Sequence, residues 1–314
     1  MTARLSGLRI PGLSQLDARA TDAGFAAGWM VVRAMPELLA RNVFHAGAVF
    51  ASRGGGPEQL RKNLARVLAV SPPEVPSQLM RAALASYARY WREAFRLPAM
   101  DHRAVAAQIQ QTVRGEQHVI DALAAGRGAV LALPHSGNWD MAGVWLAQTH
   151  GGFTTVAERL KPESLYRRFL DFRESLGFEV LPLSGGDRPP LEVLAERLSA
   201  NGLVCLMADR DLTRNGVPVD FFGEVTRMPA GSAKLAIDTG AALLPTYVWF
   251  DGDGWGIHIH APLDCSSGDV PAITQALADT FAEGIAAHPA DWHMLQPQWV
   301  ADLPESRQAR LRDS

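Results

Sequence analysis

The sequence predicts an α/β fold in which a central mixed sheet is flanked by helices and preceded by an N-terminal helical layer. After Gly126, short apolar runs rich in β-formers alternate with helical patterns, which is typical of a sheet with crossover helices. Before about residue 115, helical patterns occur without such runs. The chain has 47% hydrophobic and 20% charged residues, which is ordinary usage for a folded globular protein.

Four helical patterns make up the N-terminal layer. They cover Asp17 to Arg33, Pro36 to Ser52, a segment opened by Gly56-Pro57-Glu58, and Ser77 to Arg96. Pro57 suits a first helical position, because that position needs no N–H donor. We therefore expect one domain, 1–314, with a helical layer over about 1–115 and an α/β core over about 116–314.

The core pattern predicts six strands and five helices. The strands are Ala129 to Leu133, Phe153 to Val156, Phe178 to Leu181, Leu203 to Met207, Leu243 to Phe250 and a closing strand, Trp255 to His260. The helices are Asn138 to Gln148, Pro162 to Leu176, Pro189 to Ala200, Pro229 to Thr239 and Val270 to Ala287. The glycine-rich segment from Gly252 to Gly256 has no phosphate-loop spacing and predicts a hairpin turn.

Charge and cysteine content exclude several classes. Lys and Arg number 30 against 33 Asp and Glu, so no global basic field is available for nucleic acid. Cys205 and Cys265 lie far apart, which disfavours a disulfide framework or zinc cluster and favours a reducing, intracellular setting. The apolar stretch from Ala23 to Val32 is shorter than the roughly 18 residues of a membrane span. The start also lacks a signal-peptide pattern, so we expect a cytoplasmic protein.

The most informative segment is Leu133-Pro-His135-Ser-Gly-Asn-Trp-Asp140, which leads from a predicted buried strand through a turn into a predicted helix. Sites in open α/β sheets form at such strand ends. His135 suits a general base, because an ordinary imidazole pKa near about 6.5 allows proton acceptance at neutral pH. Asp140 would be brought back by the turn to fix the imidazole tautomer. The pair would then activate a hydroxyl.

The spacing alone leaves a second interpretation open. Asp140 would also favour a helix N-terminus electrostatically, with His135 an ordinary polar loop residue. A serine hydrolase is disfavoured, because the sequence has no Gly-x-Ser-x-Gly turn around Ser136.

The segment from Leu133 to Asp140 resembles the His-x-x-x-x-Asp motif of the lysophospholipid acyltransferase superfamily, in the form shared by the lipid A biosynthesis acyltransferases. Other segments resemble, more narrowly, the actinobacterial phosphatidylinositol mannoside acyltransferases. They are Tyr87 to Pro98, Thr155 to Glu163, Ala208 to Arg214, Val219 to Glu224 and Pro289 to Trp299. Together they span nearly the whole chain.

The resemblance implies transfer of a long acyl chain, with palmitoyl favoured, from acyl-CoA to a mannose hydroxyl of a phosphatidylinositol mannoside. It implies a His-x-x-x-x-Asp acyltransferase fold with His135 as base and Asp209 and Asp140 as its partners, without a covalent intermediate, metal or cofactor. Donors at Gly137 or Asn138 would stabilise the oxyanion. Which of the two acids orients His135 stays open, and a solvated charged loop is the alternative for Asp209.

Binding residues are also implied by the resemblance. For the phosphates of acyl-CoA they are Glu158, Arg159, Lys161 and Arg173, and for the acceptor they are Arg210, Asp211, Glu224 and His293. Each has a structural alternative: the charged residues suit exposed surface or an internal ion pair, and His293 suits a structural hydrogen bond.

Apolar residues offer an acyl tunnel and a membrane contact, with core packing as the alternative for both. Candidate tunnel walls are Trp139, Met141, Val144, Trp145, Phe221 and Phe222. Aromatic and cationic residues from Tyr87 to Arg96, with the Phe25, Trp29, Val32 stripe, suit an interfacial helix at the cytoplasmic face of the plasma membrane.

Three other functions remain compatible with the residues. They are an acyltransferase for another glycolipid or a lysophospholipid, an acyl-CoA thioesterase using the same two residues, and a non-catalytic lipid-binding protein. His135 and its acidic partner predict the type of reaction better than they predict the acceptor.

Overall fold

The computed structural model describes residues 28–158 and 163–312. The N-terminal layer contains α1 (Glu37–Ala51), α2 (Glu58–Val67), α3 (Ser77–Arg96), α4 (His102–Gln110) and α5 (Glu116–Ala124). Residues 28–34 are also helical, and the rest of the predicted helix from Asp17 lies outside the described residues. The helices predicted from Pro36 and Ser77 are confirmed, whereas Pro57 caps α2 in an extended conformation instead of occupying its first turn.

The core alternates strands and helices, as predicted. Its strands are β1 (Ala129–Leu133), β2 (Phe153–Ala157), β3 (Phe178–Pro182), β4 (Leu203–Met207), β5 (Val217–Phe221), β6 (Glu224–Met228), β7 (Ala242–Asp251) and β8 (Gly254–Ile259). Its helices are α6 (Trp139–His150), α7 (Glu163–Ser175), α8 (Pro190–Ser199), α9 (Gly231–Thr239), α10 (Val270–Ala287) and α11 (Glu305–Arg312).

The central sheet has the order β3-β2-β4-β1-β7-β8. Strands β3, β2, β4, β1 and β7 are parallel and β8 is antiparallel to β7, so the predicted mixed sheet is confirmed. Strand β1 is buried along its whole length because both faces of the sheet are covered where it lies. Leu131 belongs to the cluster on one face and Val130 to the cluster on the other.

Four elements lie outside the sequence prediction: α4, α5, α11 and the β5–β6 hairpin. Local signals for two of them are present in the chain. Asp101 accepts hydrogen bonds from the N–H groups of Arg103 and Ala104 at the start of α4. The hairpin turns at Phe222 and Gly223, both with positive φ, which is the backbone of a tight two-residue turn.

Strand register places the carboxyl ends of β1 and β4 side by side. These two strands are parallel neighbours, and Leu133 lies opposite Met207. The Ala208 N–H donates to the Leu133 carbonyl at 2.8 Å, which continues the pairing beyond the strands. Residues two positions past each strand end therefore meet at one edge of the sheet.

Candidate active site

His135 and Asp209 are the residues that meet at this edge. Each follows its strand by two positions, and the His135 Nδ1 lies 2.6 Å from the Asp209 Oδ1. The His135 N–H also donates to the Asp209 Oδ2 at 3.0 Å. Asp209 is therefore not part of a solvated charged loop, because its carboxylate holds both the ring and the backbone of His135.

The contact with Asp209 fixes which nitrogen of His135 can accept a proton. An ionised carboxylate only accepts hydrogen bonds, so the shared proton lies on Nδ1 and Nε2 keeps its lone pair. The side chain of His135 is 39% exposed while that of Asp209 is fully buried. In the neutral ring the unprotonated atom is therefore Nε2, on a partly exposed side chain, as a general base requires.

Electrostatics at the pair favour the ionised forms of both residues. Burial by itself lowers the pKa of His135, but the charge and hydrogen bond of Asp209 outweigh burial and raise that pKa above its ordinary value. Burial likewise raises the pKa of Asp209, yet the His135 charge and the donors around the carboxylate bring it below its ordinary value. One of those donors is the Trp292 indole N–H, 3.2 Å from Oδ2.

Asp140 is not a partner of His135, contrary to the proximity expected from their spacing. It lies in the first turn of α6, where the Asn138 side chain caps the helix. Its Oδ1 accepts from the Arg173 Nε at 2.9 Å, and its Oδ2 accepts from the Tyr90 hydroxyl at 3.3 Å. Asp140 therefore holds α6 to α7 and α3.

Arg173 consequently does not fit its expected place as a phosphate anchor. Its guanidinium is committed to the buried carboxylate of Asp140, with a side chain only 19% exposed. Burial opposes its charge, but Asp140 and Tyr90 raise the pKa of Arg173 above its ordinary value. The charge of Arg173 is thus balanced by Asp140 inside the protein.

A pocket of about 610 Å³ opens at His135, within the size range of ligand sites. It brings together four of the expected binding residues, which are Glu158, Arg210, Asp211 and His293. Arg210 is oriented by a hydrogen bond from its Nε to the Pro297 carbonyl at 2.8 Å. The pocket therefore combines two histidines, one arginine and two acids.

The remaining expected binding residues are not part of this pocket. Glu224 forms an ion pair with Arg66 at 2.9 Å, at the start of β6, and lines no described pocket. Arg159 and Lys161 lie outside the described residues.

An apolar pocket adjoins the polar one under the start of α6. Its lining includes Trp139 and Trp145, as expected for a tunnel, and it shares Val156, Leu206 and Met207 with the pocket at His135. Its volume of about 80 Å³ is below the roughly 300 Å³ of small ligand sites, so a long chain requires its walls to move apart.

Four expected tunnel residues lie elsewhere. Met141 and Val144 are buried in the core under α6. Phe221 packs on Trp292 and Trp299 beside the β5–β6 hairpin, and Phe222 contacts Phe221 there. These aromatic side chains thus stabilise the hairpin instead of lining the apolar pocket.

The expected oxyanion donors are engaged in the structure. The Gly137 N–H donates to the Asp291 carbonyl at 2.8 Å, and the Asn138 amide donates to the Glu93 carboxylate at 2.9 Å. The Gly137 N–H is therefore not free for a substrate oxygen, and Arg210 is the one Lys or Arg among the described residues that line the pocket with His135.

Helix α3 packs against the site, and three of its arginines are paired with acidic side chains. Arg89 binds Glu93, while Arg92 and Arg96 approach Glu37 of α1 at 3.6 and 2.9 Å. A group of exposed apolar side chains lies on residues 28–34 and α1, and includes Met30, Val31, Leu38, Leu39, Val43 and Phe50. In the described ranges, no helix is both long enough and apolar enough to span a bilayer.

Several contacts of the site have no signal in the sequence. Trp292, Gln298 and Tyr90 touch the two aspartates from distant elements, and Glu93 binds the Asn138 amide. No local pattern marks these residues as partners of the aspartates or of Asn138, and only the fold brings them here. Among residues 28–158 and 163–312, no three His, Cys, Asp or Glu side chains converge as metal ligands.

Comparison with known proteins gives one consistent result. Residues 17–301 match the family model described as bacterial lipid A biosynthesis acyltransferase. The chain is 68% identical over 314 residues to the phosphatidylinositol mannoside acyltransferase of Mycobacterium tuberculosis (strain CDC 1551 / Oshkosh), covering 99% of both chains. It is 69% identical over 307 residues to the protein of that name from Mycolicibacterium smegmatis, covering 98% of this chain and 99% of the relative.

Proposed function

Because the chain belongs to the bacterial lipid A biosynthesis acyltransferase family, we propose that it transfers a long-chain acyl group from acyl-CoA to a mannose hydroxyl of a phosphatidylinositol mannoside. Palmitoyl is the proposed acyl group. One observation carries the chemistry: His135 is tied to Asp209 through Nδ1, which leaves Nε2 as the basic atom of the neutral ring, and His135 lines a pocket that adjoins an apolar one. The acceptor is proposed from the names of the relatives.

The proposed reaction needs one base and no covalent enzyme intermediate. Nε2 of His135 takes the proton of the acceptor hydroxyl as its oxygen attacks the thioester carbonyl. The C–O bond forms, the tetrahedral intermediate collapses, and the C–S bond breaks. The proton then passes from His135 to the thiolate of CoA, so the enzyme returns to its starting state.

Asp209 is proposed to serve His135 in two ways. Its Oδ1 keeps the proton on Nδ1, so that Nε2 is the basic atom, and its charge stabilises the imidazolium formed during attack. Asp140 acts at a distance: its buried pair with Arg173 fixes the start of α6, which follows the His135 turn.

Substrate placement follows from the two adjoining pockets. The acyl chain is proposed to enter the apolar pocket past Val156, Leu206 and Met207, which border both spaces. The acceptor occupies the pocket at His135, where Arg210 suits a phosphate or developing oxyanion and Asp211 and His293 suit hydroxyl groups. Glu158, Arg159 and Lys161 remain candidates for the CoA end.

Peripheral membrane contact is proposed for α1. Leu38 and Phe50 are 72% and 68% exposed, and a lipid surface would cover them. Leu38→Glu should reduce co-sedimentation with anionic phospholipid vesicles, whereas Val225→Glu, on the exposed hairpin at 59% exposure, should not. Equal vesicle binding by both variants would refute this contact.

Mass spectrometry of the products tests the transfer itself. The full chain is incubated with palmitoyl-CoA and phosphatidylinositol mannosides, beside a His135→Ala variant and an assay without acceptor. We expect an acylated mannolipid from the wild type and none from His135→Ala. Free palmitate without an acylated lipid would indicate a thioesterase or another acceptor, and equal product from both proteins would contradict the base assigned to His135.

A further inference from the structure

A second histidine system lies across the pocket from His135. The Ser86 hydroxyl donates to the Asp291 Oδ1 at 2.6 Å and lies 2.9 Å from the His293 Nε2. All three residues are buried, at 6%, 9% and 8% exposure. Ser86 belongs to α3, while Asp291 and His293 belong to the segment after α10, so the system joins the helical layer to the core.

The direction of these hydrogen bonds determines the tautomer of His293. A carboxylate accepts only, so the single Ser86 proton points to Asp291. The Ser86 oxygen must then accept from His293, which places the imidazole proton on Nε2. Burial and the nearby His135 lower the pKa of His293 to about 3, so the ring stays neutral and Nδ1 bears a lone pair.

The Nδ1 atom of His293 has no hydrogen-bond partner among the described residues, although it is buried. Buried polar atoms in native proteins are nearly always paired, so an unpaired one at a pocket calls for a partner. His293 lines the pocket at His135, and the lone pair of its Nδ1 can accept a hydrogen bond but cannot donate one. The matching ligand group is a hydroxyl.

Backbone pairing fixes the position of His293 relative to the proposed base. The His293 N–H donates to the His135 carbonyl at 2.8 Å, and the Gly137 N–H donates to the Asp291 carbonyl at 2.8 Å. The two histidines thus sit on paired segments, each with one nitrogen tied to a carboxylate. Asp209 holds His135 directly, and Asp291 holds His293 through Ser86.

We propose that Ser86 and Asp291 are positioning residues that keep His293 Nδ1 as the acceptor for a second hydroxyl of the sugar whose first hydroxyl is deprotonated by His135. The site is thereby specific for an acceptor with at least two hydroxyl groups. The inference rests on the proposed transfer to a mannose hydroxyl and adds how the sugar is oriented.

The Asp291→Asn variant gives the sharpest test, because it should reverse the direction of the hydrogen bonds that link residue 291 through Ser86 to His293. These linked hydrogen bonds are called the relay below. The Phe250 N–H donates to the Asp291 Oδ2 at 3.0 Å, so the amide oxygen of the variant should stay there and its NH₂ should face Ser86. Ser86 then accepts from the amide and donates to Nε2, which moves the imidazole proton to Nδ1. His293 would offer a donor where the wild type offers an acceptor.

Two measurements on the full chain separate this inference from the proposed function. Nitrogen-15 NMR of labelled histidine should show protonated Nε2 in the wild type and protonated Nδ1 in Asp291→Asn, with the signal assigned by His293→Gln. The same tautomer in both proteins would overturn the relay, whether or not transfer occurs. Failure of the wild type to acylate phosphatidylinositol mannosides would instead refute the proposed function.

Kinetics then test the role of the relay toward the sugar. Ser86→Ala should raise KM for phosphatidylinositol mannoside about tenfold while KM for palmitoyl-CoA stays within twofold, because a neutral hydrogen bond to the sugar is weakened. Ser86→Thr keeps a hydroxyl and should restore the wild-type acceptor KM. An unchanged acceptor KM in Ser86→Ala, or equal losses in both variants, would overturn the proposal.

Discussion

The two aspartates expected beside His135 lie in different surroundings, although either would suit the histidine by residue type. Asp209 is 74 positions from His135 and touches its ring, whereas Asp140 is five positions away and binds Arg173 and Tyr90. Strand register explains the first contact, since β1 and β4 end at the same level. Helix geometry explains the second, since the first turn of α6 faces α3 and α7. Nearness along the chain is therefore a poor guide to the partner of a strand-end histidine.

The difference divides the site into a chemical side and a structural side. On the Asp209 side, a buried carboxylate meets a half-exposed histidine, and proton transfer changes the charge of the pair. On the Asp140 side, a carboxylate and a guanidinium form an ion pair in the interior. Changes on the first side should alter rate, and changes on the second should alter stability.

Asp209→Asn should have the largest effect on the reaction. The substitution keeps the shape of the side chain, but its amide can no longer hold the imidazole in the required tautomer. We expect kcat for acyl transfer to fall by about 10²- to 10⁴-fold, as for other histidines deprived of their carboxylate. Single-turnover measurement of product gives this value. A loss of less than tenfold would contradict the assignment of Asp209 to the chemistry and of Asp140 to stability.

Asp140→Asn should act chiefly on stability. Removing one charge of a buried ion pair leaves Arg173 uncompensated, which costs about 3 to 5 kcal/mol of the free energy of unfolding. Urea unfolding measures the loss, and kcat of the folded fraction should fall less than in Asp209→Asn.

Glu196→Gln supplies the matched control for that experiment. Glu196 pairs with Arg188 at 2.5 Å, but both side chains are about half exposed, at 52% and 51%. Such solvent-exposed pairs contribute little to the free energy of unfolding. Equal destabilisation by Asp140→Asn and Glu196→Gln would show that the Asp140 pair is not a structural anchor.

The smallest expected effect concerns the apolar pocket on the structural side. Phe153 and Phe178 start β2 and β3, at the edge of the sheet opposite His135, and their rings lie 4.5 Å apart. Both line the pocket, so they close its far end. Phe178→Leu should deepen it and shift relative kcat/KM towards longer acyl donors by about fivefold or more, since a methylene contributes about 1 to 3 kcal/mol.

Phe172→Leu controls for the loss of packing. Phe172 is buried in the same core cluster but does not line the pocket. Both variants should lose similar stability, measured by thermal unfolding, while only Phe178→Leu changes the ratio of rates with donors of different chain length. A matching shift in Phe172→Leu would argue against Phe178 as the end of the pocket.

Much of the fold was predictable because its signals are local. The buried strand Ala129–Leu133, the helix from Ser77 and the closing hairpin around Gly252 follow from hydrophobic period and turn residues. The β5–β6 hairpin also carries a local alternation, with Val217, Val219 and Phe221 buried. Pro218 and Asp220 are poor strand formers, so residue type does not predict a strand there.

The site was predictable in its residue types but not in its pairings. A histidine at the end of a buried strand is visible in the sequence, and Asp209 was among its proposed partners. That β4 lies beside β1, however, is a long-range property of the sheet. The pairing of Arg173 with Asp140, and of Ser86 with Asp291, depends on tertiary packing in the same way.

The central claim is that Asp209, and not Asp140, sets the proton affinity of His135. Burial lowers the pKa of His135 and Asp209 raises it, so removing the Asp209 charge leaves burial unopposed. Because only the neutral ring is a base, activity should be lost as pH falls through this pKa.

The most direct test is an NMR pH titration of the His135 ring in the wild type, Asp209→Asn and Asp140→Asn, with the signal assigned by His135→Gln. We predict that the pKa of His135 lies above the ordinary value of about 6.5 in the wild type and in Asp140→Asn, and below it in Asp209→Asn. A drop in Asp140→Asn with no change in Asp209→Asn would contradict it.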